Sequence, residues 1–154
     1  RHQPYKSWFS QFMTPNNSNE MENSWERYYE YWKPLTQDHL EKGMLDIHQG
    51  LFQESSTPQI FEKFSYDSFK NTELDKELKS LSVKTLIITG VETDVCVLAT
   101  VFSAVDLGYR VIMASDAMTS SDLQCHDFVL NSLTNRFDQQ IEVATVDEIL
   151  EKWK

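Results

Sequence analysis

Cys96 is the residue whose chemistry and position most readily support catalysis. It follows an apolar run, Thr85–Gly90, that is typical of a short buried strand, and helical spacing begins near Asp94. The pattern therefore predicts Cys96 in the first turn of a helix, just beyond the carboxyl end of a strand. Unpaired N–H groups and the helix dipole favour a negative charge there. Ligand crevices of open α/β sheets lie at the same end of the strands, so Cys96 is a candidate thiolate nucleophile. The alternative is an inert core thiol, because free cysteine is often buried.

The elements that must position this cysteine are strands alternating with helices. Such alternation predicts an α/β fold in which a parallel sheet is flanked by helices on both faces. The predicted strands are Gln59–Phe64, Val83–Thr89, Tyr109–Ala114 and Ile141–Val146. The predicted helices are Thr72–Leu81 with Thr72 as N-cap, Asp94–Leu107 closed by Gly108, a helix from Ser121 or Asp122 to about Asn135, and Asp147–Trp153.

The first 58 residues show weaker patterns. Arg1–Pro4 resembles the end of a strand, and Ser55–Pro58 has the composition of a turn. A short aromatic helix is predicted over Trp25–Trp32, capped by Ser24 and ended by Pro34, and Thr36–Gly50 has weak helical spacing.

Length and charge limit the classes of function. The chain has 154 residues, consistent with one domain, 1–154, and a formal net charge of -10. That charge argues against nucleic acid and against a membrane surface as partners. No apolar run approaches the roughly 18 residues that span a bilayer. Cys96 and Cys125 do not form a disulfide framework, so a cytoplasmic location is expected. Cys125 is expected to be a bystander.

Two groups of residues carry a family resemblance. One group surrounds Cys96, and the other is a lysine motif upstream of it. The residues are Gly90–Val97, Ala104, Gly108–Val111 and Asp116–Ala117, and then Lys63–Phe69 with Thr72 and Leu74. From about Ile60 to Ile149 the chain closely resembles the isochorismatase-like cysteine hydrolase superfamily, in its amidohydrolase branch. The resemblance implies a Rossmann-like three-layer fold and assembly into a homo-oligomer.

The resemblance also implies roles for individual residues. Cys96 corresponds to the nucleophile, and Lys63 corresponds to the residue that stabilises its thiolate. A cis peptide bond is implied between Val91 and Glu92, and an oxyanion hole is implied at the backbone N–H groups of Glu92 and Cys96.

Other side chains are assigned less directly. Tyr66, Phe69, Thr93 and His126 are possible pocket residues, although a structural hydrogen-bonding role is favoured for His126. Helix capping is favoured over chemistry for Asp94. No cofactor is expected. No metal is expected either, because the spacing of His2, His39 and His48 does not suit a ligand set.

The sequence departs from the family in one large respect. The family's catalytic aspartate closes the first strand, and no such segment occurs here. The sequence is therefore expected to lack the first strand and helix, to be amino-terminally incomplete, and to fold poorly when expressed alone. Residues 5–58 are expected to form a variable segment that contributes to substrate or oligomer contacts.

A cysteine at this position points to hydrolysis of a C–N bond, amide or ureido, in a small polar molecule. A thioester-type acyl-enzyme would form on the way. Two alternatives remain open from the sequence. One is a catalytically inactive binding or scaffold subunit, suggested by the missing aspartate. The other is a redox-sensing thiol protein that uses Cys96.

Overall fold

A computed structural model describes residues 7–52 and 59–153, which form two compact units, one ending at Phe64 and one beginning at Ser65. The sequence expectations for Arg1–Pro4 and Ser55–Pro58 lie outside the described residues. No described helix has both the length and the apolarity needed to cross a bilayer.

The first unit contains a two-stranded parallel sheet. Strand β1 (Trp8–Phe12) pairs along its whole length with β2 (Gln59–Lys63), in a register from Trp8 opposite Gln59 to Phe12 opposite Lys63. Strand β2 was predicted from the sequence and β1 was not. Helix α1 (Ser24–Tyr31) buries Tyr29, which stacks on Trp25 at 6.1 Å between ring centroids. Short 3-10 turns occupy Ser18–Glu20, Lys33–Leu35 and Gln49–Phe52.

Two predictions for this unit are wrong. Ser24 is the first helical residue of α1, and the N-cap is Asn23, whose φ of 58° is a conformation that asparagine tolerates well. Residues 36–48 form turns where a weak helix was predicted. Their backbone N–H groups find partners elsewhere, since Gln37 donates to the Pro15 carbonyl and Asp38 to the Asn16 carbonyl.

The second unit is a three-stranded parallel sheet with its helices. Its strands are β3 (Thr85–Val91), β4 (Arg110–Thr119) and β5 (Ile141–Ala144), in the order β3-β4-β5. Its helices are α2 (Leu74–Ser80), α3 (Leu98–Asp106), α4 (Leu123–Phe128) and α5 (Val146–Lys152). The predicted parallel α/β class is confirmed. The core of this unit lies on β4 and on the inward faces of α2 and α3, where Val111, Met113, Val101, Ala104 and Leu78 are almost inaccessible to solvent.

The helix ends follow their capping residues. Gly108, at φ +89°, closes α3, and the N–H groups of Gly108 and Tyr109 bond the Val105 and Ala104 carbonyls as in a Schellman motif. Asp122 caps α4 through the N–H groups of Gln124 and Cys125. Thr145 and Glu148 form a capping box on α5. Helix α2 begins after Glu73 and not after Thr72, although the Thr72 hydroxyl still accepts from Leu74 N–H at 3.4 Å.

Tyr109 joins β4 to α2. Its side chain is buried and its hydroxyl donates to the Asp75 carboxylate at 2.9 Å. Burial raises the pKa of the Tyr109 phenol to about 12, with the hydrogen bond to Asp75 and its charge adding to the effect. The Lys79 ammonium, 2.7 Å from the same carboxylate, lowers the pKa of Asp75.

Candidate active site

Cys96 lies where the sequence predicts it, beyond the carboxyl end of β3. The Val91–Glu92 peptide bond is cis, at the position that the family resemblance implies. A single π-helical turn, Thr93–Val97 (the cysteine turn), then leads into α3 and contains Cys96. The Glu92 carbonyl accepts from both Val95 N–H and Val97 N–H at 3.1 Å, which holds the turn together. Cys96 is half-buried and is not in a disulfide.

Thr93 and His126, both predicted pocket residues, are brought together. The Thr93 side chain is fully buried. Its hydroxyl donates to the Thr119 carbonyl at 3.1 Å and lies 2.8 Å from Nδ1 of His126. The first residue of the cysteine turn is therefore tied to the end of β4 and to α4.

The residues on either side of Thr93 contact the same segment after β4. A Glu92 carboxylate oxygen accepts from Ser121 N–H at 3.1 Å. The Asp94 carboxylate accepts from the Ser120 hydroxyl. Asp94 is thus not a helix cap, because the N-cap of the cysteine turn is Glu92 and the Asp94 side chain bonds a neighbouring loop. Residues 92–94 hold residues 119–121 through three adjacent side chains.

A second network, which sequence reasoning missed, ties the lysine motif to the cysteine turn. The Thr100 hydroxyl donates to the Cys96 carbonyl at 2.8 Å. It accepts from Ser68 N–H at 3.1 Å and from the Ser68 hydroxyl at 3.0 Å. Ser68 is buried. The only sequence signal is a threonine four residues after Cys96, a spacing typical of a bond to the preceding turn, and it does not identify Ser68.

Tyr66 and Phe69, from the same motif, have different surroundings. Burial raises the pKa of the Tyr66 phenol, and the negative charge of a Cys96 thiolate raises it further. Tyr66 therefore lies within electrostatic reach of the sulfur. Phe69 stacks on Tyr109 at 6.0 Å between ring centroids. It also lines an open cavity of about 340 Å³ with Asp67, Lys70, Ser103, Asp106 and Leu107, beside the carboxyl end of α3.

Lys63 belongs to the first unit, as the last residue of β2. Its side chain is buried and its ammonium lies 5.2 Å from the centroid of the Phe12 ring. Lysine is rarely fully buried unless its ammonium group is paired. Its pairing with the Cys96 sulfur stays a prediction, as do the oxyanion hole at Glu92 and Cys96 and the pocket role of Phe69.

A protein metal site needs several histidine, cysteine or carboxylate side chains close together. In residues 7–52 and 59–153, no three histidine, cysteine, aspartate or glutamate side chains are grouped as metal ligands. His2 lies outside these ranges.

Comparison with known proteins decides the family. The family model of the isochorismatase domain matches residues 5–146. The chain belongs to the isochorismatase family. An isochorismatase-like hydrolase from Alkaliphilus metalliredigens has a similar structure, with a TM-score of 0.67 and 26% identity over 94% of this chain and 70% of that one.

Two further proteins are similar to this chain, one in fold and one in sequence. The cysteine hydrolase from Pseudomonas syringae pv. phaseolicola 1448A shares the fold, with a TM-score of 0.77 and 21% identity over 96% of this chain and 71% of that one. Nicotinamidase 3 of Arabidopsis thaliana is 31% identical over 85 residues, which are 55% of this chain and 43% of that protein. The chain spans about half the length of the curated relatives it matches.

Proposed function

We propose that this isochorismatase-family protein is a cysteine-dependent hydrolase that cleaves an amide or ureido C–N bond in a small polar molecule. The observation that carries the proposal is the placement of Cys96. It lies half-buried in the first turn after β3, directly following the cis Val91–Glu92 bond. A thiolate there is next to a helix amino terminus and at the end of the sheet where α/β proteins bind ligands.

The proposed reaction has two halves. The Cys96 thiolate attacks the carbonyl carbon, and the N–H groups of Glu92 and Cys96 stabilise the oxyanion that forms, an effect worth about 3–4 kcal/mol for one donor. The C–N bond then breaks, the amine departs with a proton, and a thioester remains on the sulfur. Water attacks the thioester to release the carboxylic acid and regenerate Cys96. The family resemblance implies that an aspartate protonates the leaving amine. That aspartate has no counterpart among the residues of this sequence.

Lys63 is proposed as the cation that stabilises the thiolate. A buried ammonium favours a nearby anion more strongly than an exposed one, because water screens it less. Lys63 is buried at the end of β2, which suits this role. It must stay protonated in the reaction, so it is not the acid that protonates the leaving amine.

The substrate class is supported by a relative. Nicotinamidase 3 of Arabidopsis thaliana is, by its name, an amidase that acts on nicotinamide. For this chain we propose only the shared class, a small molecule with a hydrolysable C–N bond. We also propose that the protein works in the reducing cytoplasm, where both cysteines stay free, and that it assembles as a homo-oligomer.

The test compares two cysteine variants of the intact protein on a panel of small amides and ureido compounds. Cys96→Ala is expected to lower kcat by about 10⁴-fold or more, as for removal of other enzymatic nucleophiles. Cys125→Ser is the matched control, since Cys125 is an exposed free thiol on α4. It is expected to keep the wild-type rate. Mass spectrometry of stopped reactions should show the acyl adduct on wild-type protein and on Cys125→Ser, and not on Cys96→Ala.

Two results would contradict the proposal. Equal turnover by wild type and Cys96→Ala would remove the nucleophile assignment. No turnover of any panel member by wild-type protein, combined with tight binding of one of them, would favour a catalytically inactive binding subunit.

A further inference from the structure

The hydrogen bonds of Thr93 determine which nitrogen of His126 carries a proton. A threonine hydroxyl has one hydrogen to donate and two lone pairs to accept with. A carbonyl oxygen can only accept, so the contact with the Thr119 carbonyl at 3.1 Å uses the single Thr93 hydrogen. The contact of 2.8 Å with Nδ1 of His126 must therefore be a bond that the histidine donates. In the neutral ring the proton lies on Nδ1 and the lone pair on Nε2.

We propose that His126 is a positioning residue for the cysteine turn and that its neutral ring is held as the Nδ1–H tautomer. The proposal rests on the proposed function for its catalytic consequence, but not for the tautomer itself. His126 fills one lone pair of Thr93 and so leaves the Thr93 hydrogen directed at Thr119.

The effect on catalysis would be transmitted through the turn. Thr93 is the first residue of the π-helical turn that carries Cys96, and its side chain is fully buried. With its hydroxyl bonded on two sides, Thr93 cannot rotate without breaking a bond. The turn is therefore fixed to β4 and α4 at its start, which keeps the sulfur and the adjacent N–H groups in a constant orientation. Misplacement of a reacting group by about 1 Å can cost about 100-fold in rate.

This arrangement does not depend on the charge of the ring. The imidazolium form carries hydrogens on both nitrogens, so it donates from Nδ1 to Thr93 just as the neutral tautomer does. The Nε2–H tautomer would behave differently. Its Nδ1 would accept a hydrogen bond from Thr93, and protonation of Nδ1 would remove that acceptor. The hydrogen bond is thus compatible with either charge of the ring.

The first experiment reads the tautomer directly, without substrate. Nitrogen-15 correlation spectra of the histidine rings, recorded on the intact protein at a pH where the rings are neutral, should show a protonated Nδ1 for His126. His126→Asn identifies the signal by its disappearance. His39 is an internal reference, because its Nδ1 lies 2.9 Å from the Thr36 hydroxyl, which donates to the Lys33 carbonyl. A neutral His126 ring protonated on Nε2 would overturn the proposal.

The second experiment uses substitutions that keep or remove one group. An asparagine amide can replace the Nδ1–H donor, whereas the amide of glutamine extends to the region of Nε2. His126→Gln and Thr93→Val are each expected to lower kcat about tenfold or more, with KM changed less than about twofold. His126→Asn and Thr93→Ser are expected to stay within about threefold of wild type. Equal rates for the Asn and Gln variants would contradict a role for the Nδ1–H donor.

A third measurement separates this inference from the hydrolase proposal. In a Cys125→Ser background only Cys96 is alkylated by iodoacetamide among the cysteines of the chain. Thr93→Val and His126→Gln should change the alkylation rate about threefold or more, and Thr93→Ser and His126→Asn should not. If the Thr93→Val and His126→Gln variants change the alkylation rate of Cys96 but wild-type protein turns over no substrate, the positioning role is supported and the hydrolase proposal is contradicted. Unchanged alkylation in all four variants would defeat the positioning role even if Cys96→Ala abolishes turnover.

Discussion

At the scale of single residues, Thr100 is the least obvious contributor to the candidate site. Its hydroxyl uses its one hydrogen on the Cys96 carbonyl and accepts two hydrogen bonds from Ser68. Every hydrogen-bonding position of this oxygen is therefore occupied. Ser68 is buried, so loss of the Thr100 oxygen removes a hydrogen-bond acceptor from a part of the protein that water does not readily reach.

Substitution of Thr100 should show this dependence. Thr100→Val keeps the shape of the side chain but removes the oxygen, and it is expected to lower the free energy of unfolding by about 2–3 kcal/mol. Thr100→Ser keeps the oxygen and removes one methyl group, which should cost about 1 kcal/mol. Urea unfolding of both variants measures the difference. A Val variant as stable as the Ser variant would show that the network contributes nothing to stability.

Sequence reasoning identified part of the site at this scale. Cys96 and Thr93 came from the motif Gly90–Val97, and His126 came from the family resemblance as a possible pocket residue. The structure places each of them in or against the same turn. Ser68 and Thr100 were not found as partners, because 32 residues separate them and serine and threonine are too common for their pairing to be visible in one sequence. The Asp94 contact with Ser120 was missed for the same reason, since a capping role explained an aspartate near a helix start equally well.

At the scale of elements, Tyr109 makes a polar link between a strand and a helix. The phenol is buried beside β4 and donates to Asp75 in the first turn of α2. Its pKa is raised to about 12, whereas an unfolded tyrosine titrates near 10. A raised pKa in the folded state means that folding favours the neutral phenol. The resulting stability is complete below about pH 10 and is lost as the pH rises towards about 12.

Tyr109→Phe should therefore have a pH-dependent effect. At pH 8 the variant loses one buried hydrogen bond and is expected to be about 1–2 kcal/mol less stable than wild type. As the pH rises above about 10 towards about 12, wild type progressively loses the tyrosine contribution, so the difference between the two proteins should already shrink by pH 11. Urea unfolding at a series of pH values measures it. A difference that stays constant up to pH 11 would contradict the link between the phenol and stability.

The elements themselves were predictable in the second unit and less so in the first. Strands β3 and β4 and helices α3 and α4 carry continuous apolar spacing or clear caps, which local sequence reveals. Strand β1 was missed because its residues do not alternate between buried and exposed. Trp8, Phe9, Gln11 and Phe12 are all half-buried. Its pairing partner begins 51 residues later, so no local signal marks it. The predicted helix over Thr36–Gly50 does not form. The N–H groups of Gln37 and Asp38 at its start bond the carbonyls of Pro15 and Asn16 instead.

At the scale of the whole molecule, the dominant property is charge. The chain has 24 acidic against 14 basic residues, a net charge of -10. An excess of one sign destabilises a compact state through self-repulsion, and mobile ions screen that repulsion. Ion pairs at the surface, such as Arg110 with Glu142 at 2.5 Å, offset little of it because both side chains are about half exposed.

Added salt should consequently stabilise this protein. Raising the ionic strength from about 0.01 M to about 0.15 M shortens the screening length from roughly 30 Å to roughly 8 Å. We expect a gain of about 1 kcal/mol, which corresponds to an increase in Tm of about 2–4 °C. Differential scanning calorimetry in sodium chloride and in potassium chloride should give the same increase, since only ionic strength matters. A Tm that falls with salt would show that attractive surface pairs outweigh the repulsion.

The contacts of residues 92–94 with residues 119–121 bear on how such a chain can diversify. Three neighbouring side chains bind three neighbouring positions, so a residue deleted or inserted between Thr119 and Ser121 would prevent the two segments from making all three contacts together. Length changes are normally the cheapest way for evolution to reshape a loop at the mouth of a sheet. The three contacts therefore limit length changes in the segment after β4 of this chain.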